Sequence, residues 1–297
     1  MRKSLFVLLL CIGTHLCLFS QNNILVFQSD FGLKDGAVSA MKGVAMGVSP
    51  QLKIFDLTHE IPPFNIWEAA YRLQQTAQYW PVGTVFVSVV DPGVGSERKS
   101  VVLKTKSGHF FVTPDNGTLT LIAQHLGIDS VREIDEVKNR LKNSNASYTF
   151  HGRDVYAYTG ARLASGTIRF DEVGGVLPSQ VITINFQQPV FEKGAVKGNI
   201  PILDIQYGNV WTNIDRETFN KLGAKYGDKL NVQIYHGQKL VYKGLLPYET
   251  TFSAVAKGQP LVYINSLLNV SFALNQGSFS QKNNVFSGAE WSVSISK

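Results

Sequence analysis

Two rhythms of apolar residues divide this chain. In the first, short β-branched runs alternate with stretches of helical spacing. Ile24–Gln28, Leu52–Leu57 and Thr84–Val90 read as buried strands, and Val101–Lys104 with Phe110–Thr113 as a hairpin. Asp35–Met46, Ile66–Tyr79, Thr118–His125 and Arg153–Leu163 carry the helical pattern, with Asp35 as the expected N-cap of the first. Strands alternating with helices predict a mostly parallel sheet with helices on both faces. The rhythm changes near Gly174. Beyond it helices are scarce and short strands recur at Val181–Asn185, Val196–Ile205, Leu230–Tyr235, Leu240–Tyr242, Leu261–Ile264 and Val270–Leu274. Trp291–Ser296 alternates strictly, so one of its faces is buried and the other wet. The expected architecture is an α/β domain over residues 21–175 and a smaller C-terminal antiparallel β-barrel domain over 180–297, joined by the linker Gly174–Pro178.

The first twenty residues belong to neither rhythm. Arg2 and Lys3 precede an apolar run from Leu5 to Phe19, followed by Ser20-Gln21, which fits a secretory signal over residues 1–20. The run is short for a membrane span, and Cys17 lacks the small residues that precede a lipidated cysteine, so no stable membrane contact is expected after its removal. This places the mature protein outside the cytoplasm, in the periplasm; without such a leader it would be cytoplasmic. Both cysteines, Cys11 and Cys17, fall inside the segment, so the mature chain has no thiol for a disulfide, a metal or a nucleophile. Of 28 basic side chains, Arg2 and Lys3 leave with the signal, and the remaining 26 against 22 acidic ones give a net charge of +4. No basic run reaches the density of a nucleic-acid stripe, and nucleic acid is not an expected partner.

The candidate chemistry sits where strands end. Phe86-Val-Ser-Val-Val-Asp91-Pro-Gly-Val-Gly-Ser-Glu-Arg98 is an apolar run that stops at a carboxylate and a tight turn. In open α/β sheets such strand ends face the ligand crevice. His151 lies in Thr149-Phe-His-Gly-Arg-Asp154, between a polar loop and a helix. A carboxylate, a guanidinium and an imidazole can hold and deprotonate a water molecule, although an Asp-Pro-Gly turn, a loop cation and a satisfied histidine are the structural alternatives. Asp30 ends the first strand, where a carboxylate suits ribose hydroxyls or simply caps a turn. Asp30-Phe31-Gly32 matches a kinase metal motif by letters only, since its companion motifs are missing. His59 reads as a strand-end hydrogen-bonding group and Pro114-Asp-Asn-Gly117 as a turn. Asp204-Ile-Gln-Tyr207-Gly-Asn209-Val-Trp211 gathers an acid, two amides and two aromatic rings, suited to a purine or a sulfonium cation, or to a Gly-Asn turn with Trp211 in the core.

Several segments, taken in order, carry a more specific likeness. Ser29-Asp-Phe-Gly-Leu with Met41-Lys-Gly-Val, Asp56-Leu-Thr-His-Glu-Ile-Pro-Pro-Phe64, Val90-Asp-Pro-Gly-Val-Gly-Ser-Glu-Arg98, Pro114-Asp-Asn-Gly, Thr149-Phe-His-Gly-Arg-Asp and Tyr207-Gly-Asn-Val resemble the S-adenosylmethionine (SAM) hydroxide adenosyltransferases. The likeness covers Asn23 to Ser296. It implies hydrolysis of SAM to adenosine and methionine, with SAM as substrate and neither metal nor cofactor. It also implies a homotrimer, each site lying between the large domain of one subunit and the small domain of the next. It assigns Asp91, Arg98 and His151 to water activation and Asp30 to the ribose. By the same likeness, Asp204 and Asn209 are expected to hold the amino-acid part and the nucleoside, and Phe64, Tyr207, Trp211, Tyr263 and Ser266 to complete the substrate pocket.

Two other functions stay in view. Halide-using relatives carry an aromatic residue at the position of Asp91 and serine at that of Gly152, so both residues here are of the hydroxide type. A non-catalytic nucleoside-binding protein would keep Asp30 and Asp204 without the triad. There are also departures from the likeness. Leu267 and Leu268 stand where relatives place polar and then glycine or other small residues, and Ser271 stands where many have glutamate.

Overall fold

A computed structural model describes residues 22–297. Residues 1–20, expected to be a secretory signal, and with them both cysteines, lie outside the described residues. The large domain is built on a seven-stranded sheet: β1 (Ile24–Ser29), β2 (Lys53–Thr58), β3 (Val85–Val89), β4 (Ser100–Thr105), β5 (Phe110–Pro114), β6 (Ile128–Glu133) and β7 (Val176–Leu177), in the order β2-β1-β3-β5-β4-β6-β7. β1 runs parallel to β2 and β3, and β3 parallel to β5, while β4, β6 and β7 complete the sheet with antiparallel pairings.

Strand alternation decides what covers each face. Leu25, Phe27, Val85, Val87 and Val112 pack with Val38, Met41 and Ala45 of α1 (Ala37–Val48) and Ala161 and Leu163 of α4 (Tyr158–Ala164). Their neighbours Val26, Phe86 and Phe111 turn the other way, against Leu73 and Ala77 of α2 (Ile66–Ala77) and Ile122 of α3 (Thr120–Leu126). Phe86 and Phe111 stack at 4.9 Å on that face. Each such fully buried side chain contributes about 1.5–3 kcal/mol by leaving water.

The order β2-β1-β3 has a functional consequence. The chain leaves β1 to one side for β2 and returns on the other side for β3, which makes the carboxyl ends of β1 and β3 a topological switch point. Ser29 and Val89 pair at those ends, and Asp30 and Asp91 follow them.

The small domain holds two antiparallel sheets. One has the order β10-β11-β15-β14, formed by Ile202–Leu203, Val210–Asp215, Asn269–Leu274 and Pro260–Ile264. The other has the order β13-β12-β16-β9-β8, formed by Lys239–Pro247, Lys229–His236, Gly288–Ser296, Ala195–Ile200 and Val190–Glu192. Their inner faces share one apolar cluster, including Ile200, Val210, Ile234, Phe272 and Ile295. The sheets approach along both margins. A bridge pairs Tyr248 with Val262 on one side, and Asn199 N donates to Asn213 Oδ1 at 2.7 Å on the other.

Three elements differ from expectation. The single strand expected over Val196–Ile205 breaks at Pro201, which has no N–H for a ladder, and the chain changes sheets there. The carbonyl of Pro201 accepts from Trp67 Nε1 at 2.9 Å, tying the two domains together. Val181–Asn185 forms no strand. Side chains take the place of a neighbouring strand, with Ile182 N donating to Asp115 Oδ1 at 2.8 Å and Ile184 N to Thr120 Oγ1 at 3.0 Å. The segment expected as the helix Arg153–Leu163 begins with a π-helical turn over Gly152–Ala157 before α4.

Candidate active site

β3 delivers Asp91 into the turn that follows it. Val94 N closes the turn on Asp91 O at 3.2 Å, and Gly95 takes φ +78°, a conformation that favours glycine. Asn116 Nδ2 pins the strand end by donating to Val90 O at 2.9 Å, which gives the Pro114-Asp-Asn-Gly turn a task at the site. Arg98 returns from the far side of the turn. Its Nε donates to Asp91 Oδ1 at 2.9 Å and its Nη2 to Oδ2, a bidentate pair whose side chains are 10% and 6% exposed. Burial works against the Arg98 charge, but Asp91 more than compensates and raises its pKa further.

From Arg98 a polar chain runs inward. Arg98 Nη1 donates to Ser100 Oγ at 3.1 Å, and Ser100 Oγ donates to Glu136 Oε1 at 3.0 Å. Glu136 Oε2 accepts from Arg140 Nη1 at 3.0 Å and lies 3.5 Å from His151 Nε2. That last contact is an ion-pair distance, longer than a formed hydrogen bond. His151 holds Glu136 below the ordinary carboxylate range, with burial resisting. Tyr156 closes the cluster, its hydroxyl 3.2 Å from Ser100 Oγ and its ring beneath the Arg98 guanidinium at 5.7 Å. Burial pushes its hydroxyl far above its ordinary pKa, so it stays protonated.

Asp91 and Arg98 therefore touch directly, and His151 joins them through Ser100 and Glu136. His151 is 5% exposed and begins the π-helical turn, a distortion found frequently at functional sites. Its Nδ1 is buried with no hydrogen-bond partner among the described residues. Glu136 was missed from sequence. It sits in the charged stretch Arg132–Arg140, which has the pattern of a solvated surface and no motif to set it apart.

Asp30 stands at the end of β1, and its Oδ2 accepts from Phe64 N at 2.9 Å. Phe64 adopts φ +67° and is 70% exposed, so backbone strain holds an aromatic ring outward beside Asp30. The remaining candidates lie elsewhere. Asp204, Tyr207, Asn209, Trp211, Tyr263 and Ser266 line one groove of about 1520 Å³, reached from the large domain by Glu60, Pro62 and Glu68. Asp204 is pre-set there, its Oδ2 accepting from Asn209 Nδ2 at 3.2 Å, while Gly208 takes φ +68° to turn the loop. Burial raises the Tyr263 hydroxyl to about 12, and the Asp204 charge acts in the same direction. Trp211 Nε1 is buried with no hydrogen-bond partner among the described residues. Asp30, Phe64, Asp91, Arg98 and His151 do not line this groove. Within one chain the candidates thus fall into two groups, one at the ends of β1 and β3 and one along the groove.

At the loop of Asn265, where two leucines depart from the family pattern, Asn265 Oδ1 accepts from Leu267 N at 2.9 Å and Asn269 N at 3.0 Å. Leu268 is forced to φ +61°. Ser271 is fully buried and accepts from Asn265 Nδ2 at 3.0 Å.

Comparison with known proteins matches both domains of the chain. Residues 25–174 match the SAM hydroxide adenosyltransferase N-terminal domain, and residues 198–292 the C-terminal domain. An (R)-S-adenosyl-L-methionine hydrolase of Methanocaldococcus jannaschii is 38% identical over 72% of this chain and 74% of its own. One from Salinispora arenicola is 39% identical over 84% and 90%. A fluorinase of Actinopolyspora mzabensis is 27% identical over 89% and 95%. The crystal structure of an uncharacterized conserved protein from Thermotoga maritima superposes with a TM-score of 0.81 at 36% identity, covering 92% of this chain and all of that one. The chain belongs to the SAM hydroxide adenosyltransferase family.

Proposed function

We propose that this protein hydrolyses SAM to adenosine and methionine. The observation that carries the reading is the connected set Asp91–Arg98–Ser100–Glu136–His151 at the strand ends next to Asp30. Water, with a pKa of about 15.7, is a weak nucleophile and must lose a proton as it attacks. His151 Nδ1 is the basic atom left unengaged. With Glu136 facing Nε2, the tautomer that carries its proton there offers the Nδ1 lone pair to the water. Asp91, fixed by Arg98 at both oxygens, orients that water, and the Arg98 charge favours the hydroxide as it develops. The water oxygen bonds to the ribose 5′ carbon, the carbon–sulfur bond breaks, and its electron pair returns to sulfur, which leaves as neutral methionine. The proton ends on His151, with Glu136 beside the new imidazolium. General-base help of this kind contributes about 10²–10⁴ in rate. No metal or cofactor enters the step.

The halide-using alternative is disfavoured by Gly152. A Cβ there would lie 3.1 Å from Val89 Cγ1 and 3.2 Å from the Phe31 ring, so serine does not fit without displacing them.

The complete site forms between subunits of a homotrimer in this reading. What supports it is the separation of the two groups, together with the exposure of Phe64, Ile205 and Tyr207 at 70%, 77% and 68% in the single chain. The N-terminal segment directs export, which sequencing of the mature N-terminus checks. The test of function is incubation with SAM and chromatography of the products, with and without a chelator. Adenosine and methionine in both samples are expected. Intact SAM, or activity restored only by a divalent ion, overturns the reading.

A further inference from the structure

His59 follows β2 directly, its side chain is 1% exposed, and the mechanism above makes no use of it. Both ring nitrogens are held. Ser29 Oγ lies 2.7 Å from Nδ1, and Asp56 Oδ1 lies 3.0 Å from Nε2. Asp56 in turn pairs with Lys42 Nζ at 2.6 Å. Burial lowers the His59 pKa although the Asp56 contact opposes it, so the ring is neutral near pH 7. The direction of each bond then follows. Asp56 is an acceptor only, so the ring proton sits on Nε2, and Nδ1 accepts from the Ser29 hydroxyl. The Ser29 oxygen is left to accept from Phe31 N at 3.3 Å.

Serine, histidine and aspartate here do not make a nucleophile. Ser29 is fully buried at the end of β1 and reaches no substrate-sized space. What the relay holds is the turn that carries Asp30. His59 O also accepts from Gly32 N at 2.7 Å, and five residues on, Phe64 N donates to Asp30 Oδ2. The 29–32 turn and the 59–64 segment are thus stitched on both sides of Asp30, with His59 making two of the stitches. The same turn carries Phe31, whose ring lies against Gly152 next to His151.

We propose that His59 is a positioning residue for Asp30, locking its carboxylate in the one orientation that receives the ribose hydroxyls. The proposal rests on the assignment of Asp30 to ribose. It also accounts for a polar relay at this place, since only a group accepting at Nδ1 and donating at Nε2 links Ser29 to Asp56.

The experiment compares KM and kcat for SAM, adenosine affinity by calorimetry, and Tm across wild type, His59→Asn, His59→Gln, Ser29→Ala, Asp30→Ala and the double variant His59→Gln/Asp30→Ala. The Asn amide oxygen stands where Nδ1 does and preserves the Ser29 bond, whereas Gln reaches only Asp56. His59→Gln and Ser29→Ala are expected to raise KM and weaken adenosine binding about tenfold, the worth of a hydrogen bond to a charged group, with kcat within about twofold. His59→Asn is expected to stay near wild type. In the Asp30→Ala background, His59→Gln should add nothing. An unchanged KM for His59→Gln, even with a lower Tm, overturns the proposal, as does a full additional loss in the Asp30→Ala background. If His59→Gln fails to fold, Ser29→Ala carries the same comparison. A wild-type protein that binds adenosine but leaves SAM intact refutes hydrolysis alone, and the adenosine affinities still decide the role of His59.

Discussion

Arg98 grips Asp91 by both carboxylate oxygens, so the carboxylate at the end of β3 has one orientation. A guanidinium makes that fork and an ammonium does not. Arg98→Lys is therefore expected to lower kcat by about 10²-fold while KM changes little, since the pair is assigned to water and not to SAM. Asp91→Ala leaves a mostly buried cation without its partner, and a stability loss of about 3–5 kcal/mol is expected from such sites. Asp91→Asn retains an acceptor and should melt closer to wild type. Steady-state kinetics with thermal melts check both points, and a fully active Arg98→Lys enzyme would remove the pair from the mechanism.

Glu136 yields a prediction in pH. Its folded pKa lies below the ordinary value of 4.5, chiefly because of His151, so its stabilising effect is complete above the ordinary carboxylate range and is lost as pH falls through the lower, folded value. Acid melting of the wild type should steepen below about pH 4.5, and Glu136→Gln should lack that component. The substitution should also reduce kcat by about tenfold, because the imidazolium formed at His151 loses its facing charge. Melting curves from about pH 3 to 7 and kcat at neutral pH test the two halves separately.

The sequence exposed those parts of the molecule whose physics is local. The strand Ile24–Ser29 and its parallel neighbour Val85–Val89 are apolar on both faces because both faces are covered, and they were visible at once. The strand Ile128–Glu133 was not, because only Ile128 and Val131 of its six residues are apolar, and its Arg132 side chain bonds the Gly174 carbonyl near the sheet margin. The segment 181–185 has the composition of a strand, but its backbone partners include the side chains of Asp115 and Thr120, which no periodicity reveals. At the site, Asp91 and Arg98 share one turn and were legible together. Glu136 reaches His151 only after the chain has made a detour between them, and the π-helical turn that seats His151 has no compositional mark.

Gly152 ought to resist even a small side chain. Serine there presses on Val89 and on Phe31, whose turn carries Asp30. Overpacking of this kind costs about 1–3 kcal/mol. Gly152→Ser is expected to lower the Tm by several degrees and to weaken SAM binding, with adenosine still the product in added chloride or fluoride. A halogenated nucleoside from the wild-type enzyme would contradict the assignment of water as nucleophile.

Leu268 offers the opposite case. It is 58% exposed and held at φ +61°, where an L side chain is strained and glycine is not. Leu268→Gly should stabilise the protein by about 0.5–1 kcal/mol, read as a higher denaturant midpoint with an unchanged slope. A lower midpoint would mean that the leucine makes an apolar contact, in the chain or between chains, that outweighs its backbone strain.

The division of the candidate residues between two groups gives the last prediction. Asp30 and Asp91 sit at the strand ends of the large domain, while Asp204 and Asn209 line a groove that none of the large-domain candidates borders. If the site is completed by a neighbouring subunit, Asp91→Ala and Asp204→Ala protomers, each nearly inactive alone, should complement one another when mixed oligomers form after dissociation and reassembly. In a trimer some interfaces then join an intact large domain to an intact small one, and a fraction of the wild-type rate returns. Sedimentation establishes the subunit number, and differently tagged chains establish that mixing took place. Verified mixed oligomers without recovered activity would place each site within one chain, and an active monomer would rule out sharing altogether.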